Sequence, residues 1–179
     1  MKKNKISKNW LNKHRKDTFV RQSKIDGYRA RSAYKLIEIN EKFKVFKSKM
    51  CVVDLGASPG SWSQYVSKIV KSGKIISVDL KDMKEIKNTI QIKGDFTNNE
   101  IKEKIKNCIE KRSDVVMSDM AVNTTGIKDL DSIQTGELCK DAMTFSKEII
   151  SSNGFFISKI FMGVTFNEIV ALGKKYLVK

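Results

Sequence analysis

The sequence predicts a doubly wound, Rossmann-like α/β domain with a mainly parallel sheet flanked by helices. Three observations predict it. Short apolar runs alternate with stretches of helical periodicity along most of the chain. A glycine-bearing turn, Gly56-Ala-Ser-Pro-Gly60, follows the first such run directly. Aspartates close several of the runs, at the strand ends where open parallel sheets hold their ligands.

Taken in order, residues 1–24 read as a basic, weakly structured arm and residues 25–179 as one domain. From Ser32, a candidate N-cap, to Phe43 the apolar positions Ala33, Leu36, Ile37, Ile39 and Phe43 recur at helical spacing. Met50–Leu55 reads as a buried strand, and Trp62–Val70 as an amphipathic helix ending near Gly73. Strands follow at Lys74–Leu80 and Thr89–Lys93, then a charged helix at Ile101–Lys111. Asp114–Ser118 is a fourth strand. Ser132–Ser151 is a long helix, which Asn153-Gly154 is expected to stop. Phe155–Phe161 is a fifth strand, and Phe166–Tyr176 begins a last helix.

Composition narrows the function. With 179 residues and 40% hydrophobic content, the chain can bury a real core. No stretch approaches the roughly 18 consecutive apolar residues of a membrane helix, and no apolar run follows the basic N-terminus. A cytoplasmic protein, with no membrane partner and acting as a monomer, is the expectation. Cys51, Cys108 and Cys139 are scattered singly and form no disulfide framework; they are expected to be buried and reduced. His14 is the only histidine, which argues against a zinc site. The net charge of +15 is concentrated in residues 1–49, where sixteen Lys/Arg face only Asp17, Asp26, Glu38 and Glu41. That imbalance points to a phosphate-backbone partner.

The turn at residues 54–62 differs from a dinucleotide loop. Its glycines are spaced G-x-x-x-G, not G-x-G-x-x-G, and no basic residue stands in it to meet a phosphate. A cofactor without phosphate, such as S-adenosyl-L-methionine, fits better. Asp79, nineteen residues after Gly60, can accept both hydroxyls of an adenosine ribose. Asp95, after the third strand, can meet the adenine amino group, with Phe96 against the ring. A single aspartate in such a place is ordinarily a turn or N-cap residue. Gly56, Gly60, Asp79 and Asp95 together, at successive strand ends, favour a cofactor.

Asp119 follows the fourth strand in Ser-Asp-Met-Ala, with none of the Asp/Asn-Pro-Pro-Tyr pattern of amino-nitrogen methyltransferases. Lys159 lies inside the apolar fifth strand, where a lysine needs a partner or a path to the pocket. Parallel topology brings the ends of strands four and five together, so Asp119 and Lys159 can meet. Such a pair suits a ribose hydroxyl, which must lose its proton as it attacks a methyl sulfonium. An edge-strand lysine with a snorkelling head explains Lys159 equally well on periodicity alone.

Ser32-Ala-Tyr-Lys35-Leu36, VVDLGASPGSWSQYV, Gly94-Asp95-Phe96, VVMSDMA and Lys159-Ile-Phe-Met-Gly163 together resemble the FtsJ family of ribosomal-RNA ribose 2′-O-methyltransferases, collinearly from about Trp10 to Tyr176. The resemblance implies a class I S-adenosylmethionine-dependent methyltransferase fold. It implies methylation of a uridine ribose in the A-loop of large-subunit ribosomal RNA, on the assembled subunit. The family's catalytic residues fall on Lys35, Asp119 and Lys159, and its cofactor contacts on Gly60, Trp62, Asp79, Asp95 and Asp119. It also gives Lys35 a role that periodicity does not, since Lys35 is otherwise a polar-face helix residue. Around it, Arg29 and Arg31 are suited to backbone phosphates, and Tyr28 and Tyr34 to base stacking.

Three departures stand out. Ser61 replaces a second glycine, and Val122 replaces the proline usual after Ser-Asp-Met-Ala. The family continues past the position of Lys179 with further strands, the last carrying a catalytic glutamate that Glu168 does not match. A missing glutamate makes an RNA-binding ribosome-assembly factor with little or no turnover the alternative reading.

Overall fold

A computed structural model of the chain describes residues 17–122 and 124–177. Most of the predicted basic arm, His14 included, lies outside the described residues. The part of the arm that is described forms helix α1 (Thr18–Ile25), whose N-cap Asp17 accepts the amides of Phe19 and Val20. There follow α2 (Ala33–Phe43), β1 (Cys51–Leu55), α3 (Ser61–Ser67), β2 (Lys74–Asp79) and β3 (Thr89–Lys93). The chain continues through α4 (Asn99–Cys108), β4 (Ser113–Ser118), α5 (Lys128–Ile149), β5 (Ile150–Ser158) and α6 (Phe166–Leu177).

The five strands form one parallel sheet in the order β3-β2-β1-β4-β5. Alternation along the strands sends side chains to two faces. Val53, Leu55, Ile76, Val78 and Val116 face one layer with Ile105 of α4 and Phe145 of α5. Val52, Ile75, Val115 and Met117 face the other, with Leu36 of α2 and Trp62 and Val66 of α3. Helices thus cover both faces, as near-continuous apolar strands require. The winding reverses between β1 and β4. Above their carboxyl ends lies the crevice in which such sheets bind ligands.

The structure corrects several boundaries. The long helix runs straight into β5 at Ile150, and Asn153-Gly154 lies within that strand instead of ending the helix. Between the pairs Ser113↔Ile150 and Val115↔Phe155, β5 takes five steps to two on β4, so the extra residues bulge outward. A Cβ on Gly154 would meet the Asp114 carbonyl at 2.9 Å, and only glycine lets the bulged backbone return so closely. At its other end β5 stops at Ser158, so Lys159 sits just beyond the strand and not inside it. Ser32 makes no side-chain cap; its hydroxyl lies 3.0 Å from that of Ser61, and a tight turn over residues 30–35 starts α2 instead. Cys139 is buried, whereas Cys51 and Cys108 are half-buried; all three are free thiols. Among the described residues no helix is long and apolar enough to cross a membrane.

Candidate active site

The crevice is floored by the turn after β1. The amides of Gly56 and Ala57 both donate to the Val78 carbonyl, at 2.9 and 3.1 Å, which fastens the turn to β2. Gly56 has φ +74°, and a Cβ there would lie 2.5 Å from Met120 Cγ and 2.8 Å from its Cα. Glycine is therefore required by both conformation and close approach, at the point where the β1 and β4 loops touch. Gly60, with φ +98°, leads into α3. The first amides of that helix have no intrahelical acceptor.

Asp79, at the end of β2, accepts the amides of Ser58 (2.9 Å) and Lys81 (2.8 Å). It therefore ties the glycine turn to the loop after β2 while bordering the crevice. Asp95 accepts the amide and hydroxyl of Thr97 on one oxygen, at 2.9 and 2.7 Å, and these bonds, the hydroxyl's foremost, hold its carboxyl below the usual range. Its other oxygen has no protein partner among the described residues. Phe96 differs from expectation. Its ring is 4% exposed and meets Phe145 edge-on at 5.3 Å, so it is a core residue with no free face for an adenine. The indole of Trp62 is likewise buried and donates to the Ser32 carbonyl at 2.9 Å, leaving its backbone as the part nearest the turn.

Across the crevice the ends of β4 and β5 meet. The amide of Asp119 donates to the Leu55 carbonyl (3.1 Å), and that of Lys159 to the Ser118 carbonyl (2.9 Å). These continue the ladders just far enough to face the two side chains. The Lys159 ammonium pairs with the Asp119 carboxylate and also donates to the Asp119 carbonyl at 3.0 Å. Both side chains are about one-fifth exposed, enough for a substrate to reach them. The pair that topology made possible is formed.

Loops flanking the pair are anchored by the start of α5. Asp131 accepts the amide (2.7 Å) and hydroxyl (2.8 Å) of Thr125 and the amide of Gly126 (3.1 Å), and these bonds lower its pKa, the Thr125 amide foremost. Ser132 contacts Thr165 of the loop after β5. Glu168 pairs with Lys140 at 2.8 Å and plays no part at the crevice.

The N-terminal residues divide. Lys35 is exposed on α2 and makes no ion pair among the described residues. Arg31 pairs with Asp17 at 2.5 Å. Tyr34 donates to Asp26 at 2.5 Å, and burial together with that carboxylate pushes its phenol up to about 12. Tyr28 meets Tyr34 edge-on at 5.9 Å and lies under Lys68, whose ammonium is 4.1 Å from the ring centre. Arg29, read from sequence as a phosphate contact, instead directs its guanidinium to backbone carbonyls of Pro59, Lys84 and Glu85.

The profile of the FtsJ-like methyltransferases matches residues 28–179. The chain belongs to the FtsJ-like methyltransferase family. Within this family it is 69% identical to ribosomal RNA large subunit methyltransferase E of Pelagibacter ubique over 175 residues, covering 98% of this chain and 86% of that protein. It is 44% identical to the protein of the same name from Rickettsia rickettsii over 170 residues, 92% of this chain and 75% of that one. A crystal structure of a Plasmodium falciparum protein described as a ribosomal RNA methyltransferase superposes with a TM-score of 0.77 at 32% identity, covering 83% of this chain and 86% of that one. A Methanococcus jannaschii fibrillarin superposes at 0.50 with 21% identity over 73% of this chain and 56% of that one, a likeness of fold alone.

In this FtsJ-like chain, one residue of the crevice escaped sequence reasoning. Asp54 of β1 is fully buried; Ser63 donates to one of its oxygens at 2.6 Å, and the other has no hydrogen-bond partner among the described residues. Burial, reinforced by the charges of Asp119 and Asp79 and opposed by Ser63, pushes its carboxyl up to about 7. In sequence Asp54 looks like one more strand-end residue; only its depth sets it apart.

Proposed function

We propose that this chain transfers a methyl group from S-adenosyl-L-methionine to a ribose 2′-hydroxyl of large-subunit ribosomal RNA, at a uridine of the A-loop, in the cytoplasm. The observation that carries this reading is the Lys159–Asp119 pair facing the glycine turn across one crevice. The names of the relatives support an RNA substrate, and so does the +15 charge.

The residues present fit the cofactor. The rim is acidic, with Asp79, Asp95 and Asp119, and Asp54 is buried in β1 beneath it, which suits a ligand carrying ammonium and sulfonium charges. Asp54 also retains a buried oxygen in search of a donor. Gly56, Gly60 and the backbone of Trp62 would hold the methionine portion, Asp79 the ribose hydroxyls, and Asp95 the adenine edge. When bound, the cofactor supplies an electrophilic methyl on sulfur.

The chain's own residues position and activate the nucleophile. Lys159 would meet the 2′-hydroxyl oxygen and assist loss of its proton, its ammonium donating to the developing alkoxide while the proton leaves to solvent. Asp119, gripping Lys159 through carboxylate and carbonyl, would fix where that ammonium points. Lys35, on the exposed face of α2, would approach the same ribose from the RNA side, with Tyr28, Tyr34 and Arg31 along its path.

The test is incubation with labelled S-adenosylmethionine and large ribosomal subunits lacking ribose methylation, beside the Lys159→Ala protein. Label at one alkali-resistant linkage, lost in the variant, is the expected result. Label in bases or protein, or none despite cofactor binding, would overturn the proposal.

A further inference from the structure

We infer that Arg29 is a positioning residue for the cofactor site, a bracket that holds the glycine turn and the loop after β2 at a fixed separation. The inference rests on the cofactor reading of the crevice given above. Its guanidinium donates to the carbonyls of Pro59 (3.1 Å) and Lys84 (2.9 Å) through one nitrogen and to Glu85 (2.8 Å) through the other. A planar fork is suited to several fixed acceptors at once, which a lysine ammonium on a flexible stem is not.

The bracket is packed as well as bonded. A Cβ at Gly60 would lie 2.7 Å from Arg29 Nη1 and 2.9 Å from Ile86 Cδ1, so the guanidinium lies directly against the turn. Arg29 is held in its turn by Gln64 of α3. That side chain accepts the Arg29 amide at 3.0 Å and donates to the Gly27 carbonyl at 2.8 Å. Nearby, Trp62 donates to the Ser32 carbonyl. The segment joining α1 to α2 is thereby sewn to the turn and helix that frame the crevice.

Asp79 and Arg29 tie the same two loops in complementary ways. Asp79 takes amides from Ser58 and Lys81, whereas Arg29 takes carbonyls from Pro59, Lys84 and Glu85. Both loops border the place assigned to the adenosine. With Arg29 removed, the Pro59 and Glu85 carbonyls lose their side-chain donor and the Lys84 carbonyl keeps only Gln91 (2.9 Å). Asp79 is left as the side chain that hydrogen-bonds to both loops. Cofactor affinity should fall because the free protein samples geometries that no longer match the ligand. A phosphate-contacting arginine would behave otherwise, weakening RNA binding and its salt dependence.

The experiment measures binding of S-adenosylhomocysteine by calorimetry, and of large ribosomal subunits by sedimentation, for wild type, Arg29→Ala and Arg29→Lys. Steady-state methylation is followed at varied cofactor. The expected result is a rise of about tenfold in cofactor Kd and KM for Arg29→Ala, with kcat at saturation and subunit affinity within about twofold. Arg29→Lys should recover part of the loss, since an ammonium can reach one of the carbonyls. Should Arg29→Ala fail to fold, Arg29→Lys and Gln64→Ala carry the same comparison. Unchanged cofactor Kd with weakened subunit binding would overturn the inference and return Arg29 to the RNA. A wild-type protein that binds no cofactor would remove the cofactor reading itself, an outcome distinct from a bound cofactor indifferent to Arg29.

Discussion

Lys159 is held by Asp119 at two points, the carboxylate and, at 3.0 Å, the carbonyl oxygen of the same residue. The first bond neutralises charge and the second fixes direction. Lys159→Ala should therefore reduce single-turnover methyl transfer by about two to three orders of magnitude, on the order of the contribution of one donor to a developing oxyanion. Cofactor affinity should be nearly unchanged. Asp119→Asn keeps the carbonyl and should retain more activity than Asp119→Pro, which also removes the amide bonded to Leu55. Rapid-quench measurement of labelled RNA separates these outcomes.

Gly56 should tolerate no side chain. With φ +74° and Met120 atoms at 2.5 to 2.9 Å from an added Cβ, Gly56→Ala combines a strained backbone with a clash against main chain. A loss of about 2–4 kcal/mol is expected in urea unfolding, together with weaker cofactor binding. An alanine variant as stable as wild type would show that the β1 and β4 loops are not in contact.

Asp54 should make stability fall with rising pH. Its folded pKa, about 7, lies above the unfolded value of 3.8, so the folded state binds the proton more tightly. The neutral carboxyl is tolerated at low pH, and the penalty of burying the anion accumulates from about pH 4 to pH 7. Asp54→Asn, which never ionises, should melt above wild type by several degrees at pH 8 in the absence of cofactor, and the gap should narrow steadily below about pH 7 and close only near about pH 4. A pH-independent gap would place the effect in packing instead.

Asp131 carries the opposite sign. Hydrogen bonds from Thr125 and Gly126 depress its pKa, so its contribution is present above the unfolded carboxylate range and is lost as pH falls through the folded value. Asp131→Ala should loosen residues 124–126, next to Asp119, and lower kcat more than cofactor affinity. Hydrogen exchange at the Thr125 and Gly126 amides reports the loosening directly. Exchange as slow as in wild type would count against it.

How far the chain could be read in advance differs from residue to residue. The central strands are legible because parallel strands buried on both faces are apolar runs such as Cys51–Leu55 and Ser113–Ser118. The edge strands β3 and β5 are only partly buried and are marked by their β-branched and aromatic residues. The end of the long helix was misread, because Asn153-Gly154 signals a stop in isolation and a bulge when β4 lies alongside. Phe96 and Arg29 take surroundings that the sequence does not reveal, for a related reason. An aromatic ring and a guanidinium are compatible with either a ligand or the protein's own interior, and sequence does not say which is nearer.

The order of apolar runs, the glycine turn and the aspartates at strand ends were determined by sequence alone, because each follows from local preference and spacing. They suffice for the fold and for bringing the ends of β4 and β5 together, while the contact of Asp119 with Lys159 is decided by the tertiary structure. Tertiary structure decided the rest. It buried Asp54 without a second partner, turned Arg29 onto three carbonyls, and pressed Gly56 against Met120. The physical reason is that burial and hydrogen-bond partners are supplied by residues distant in the chain, and they come within reach only when the sheet closes the crevice.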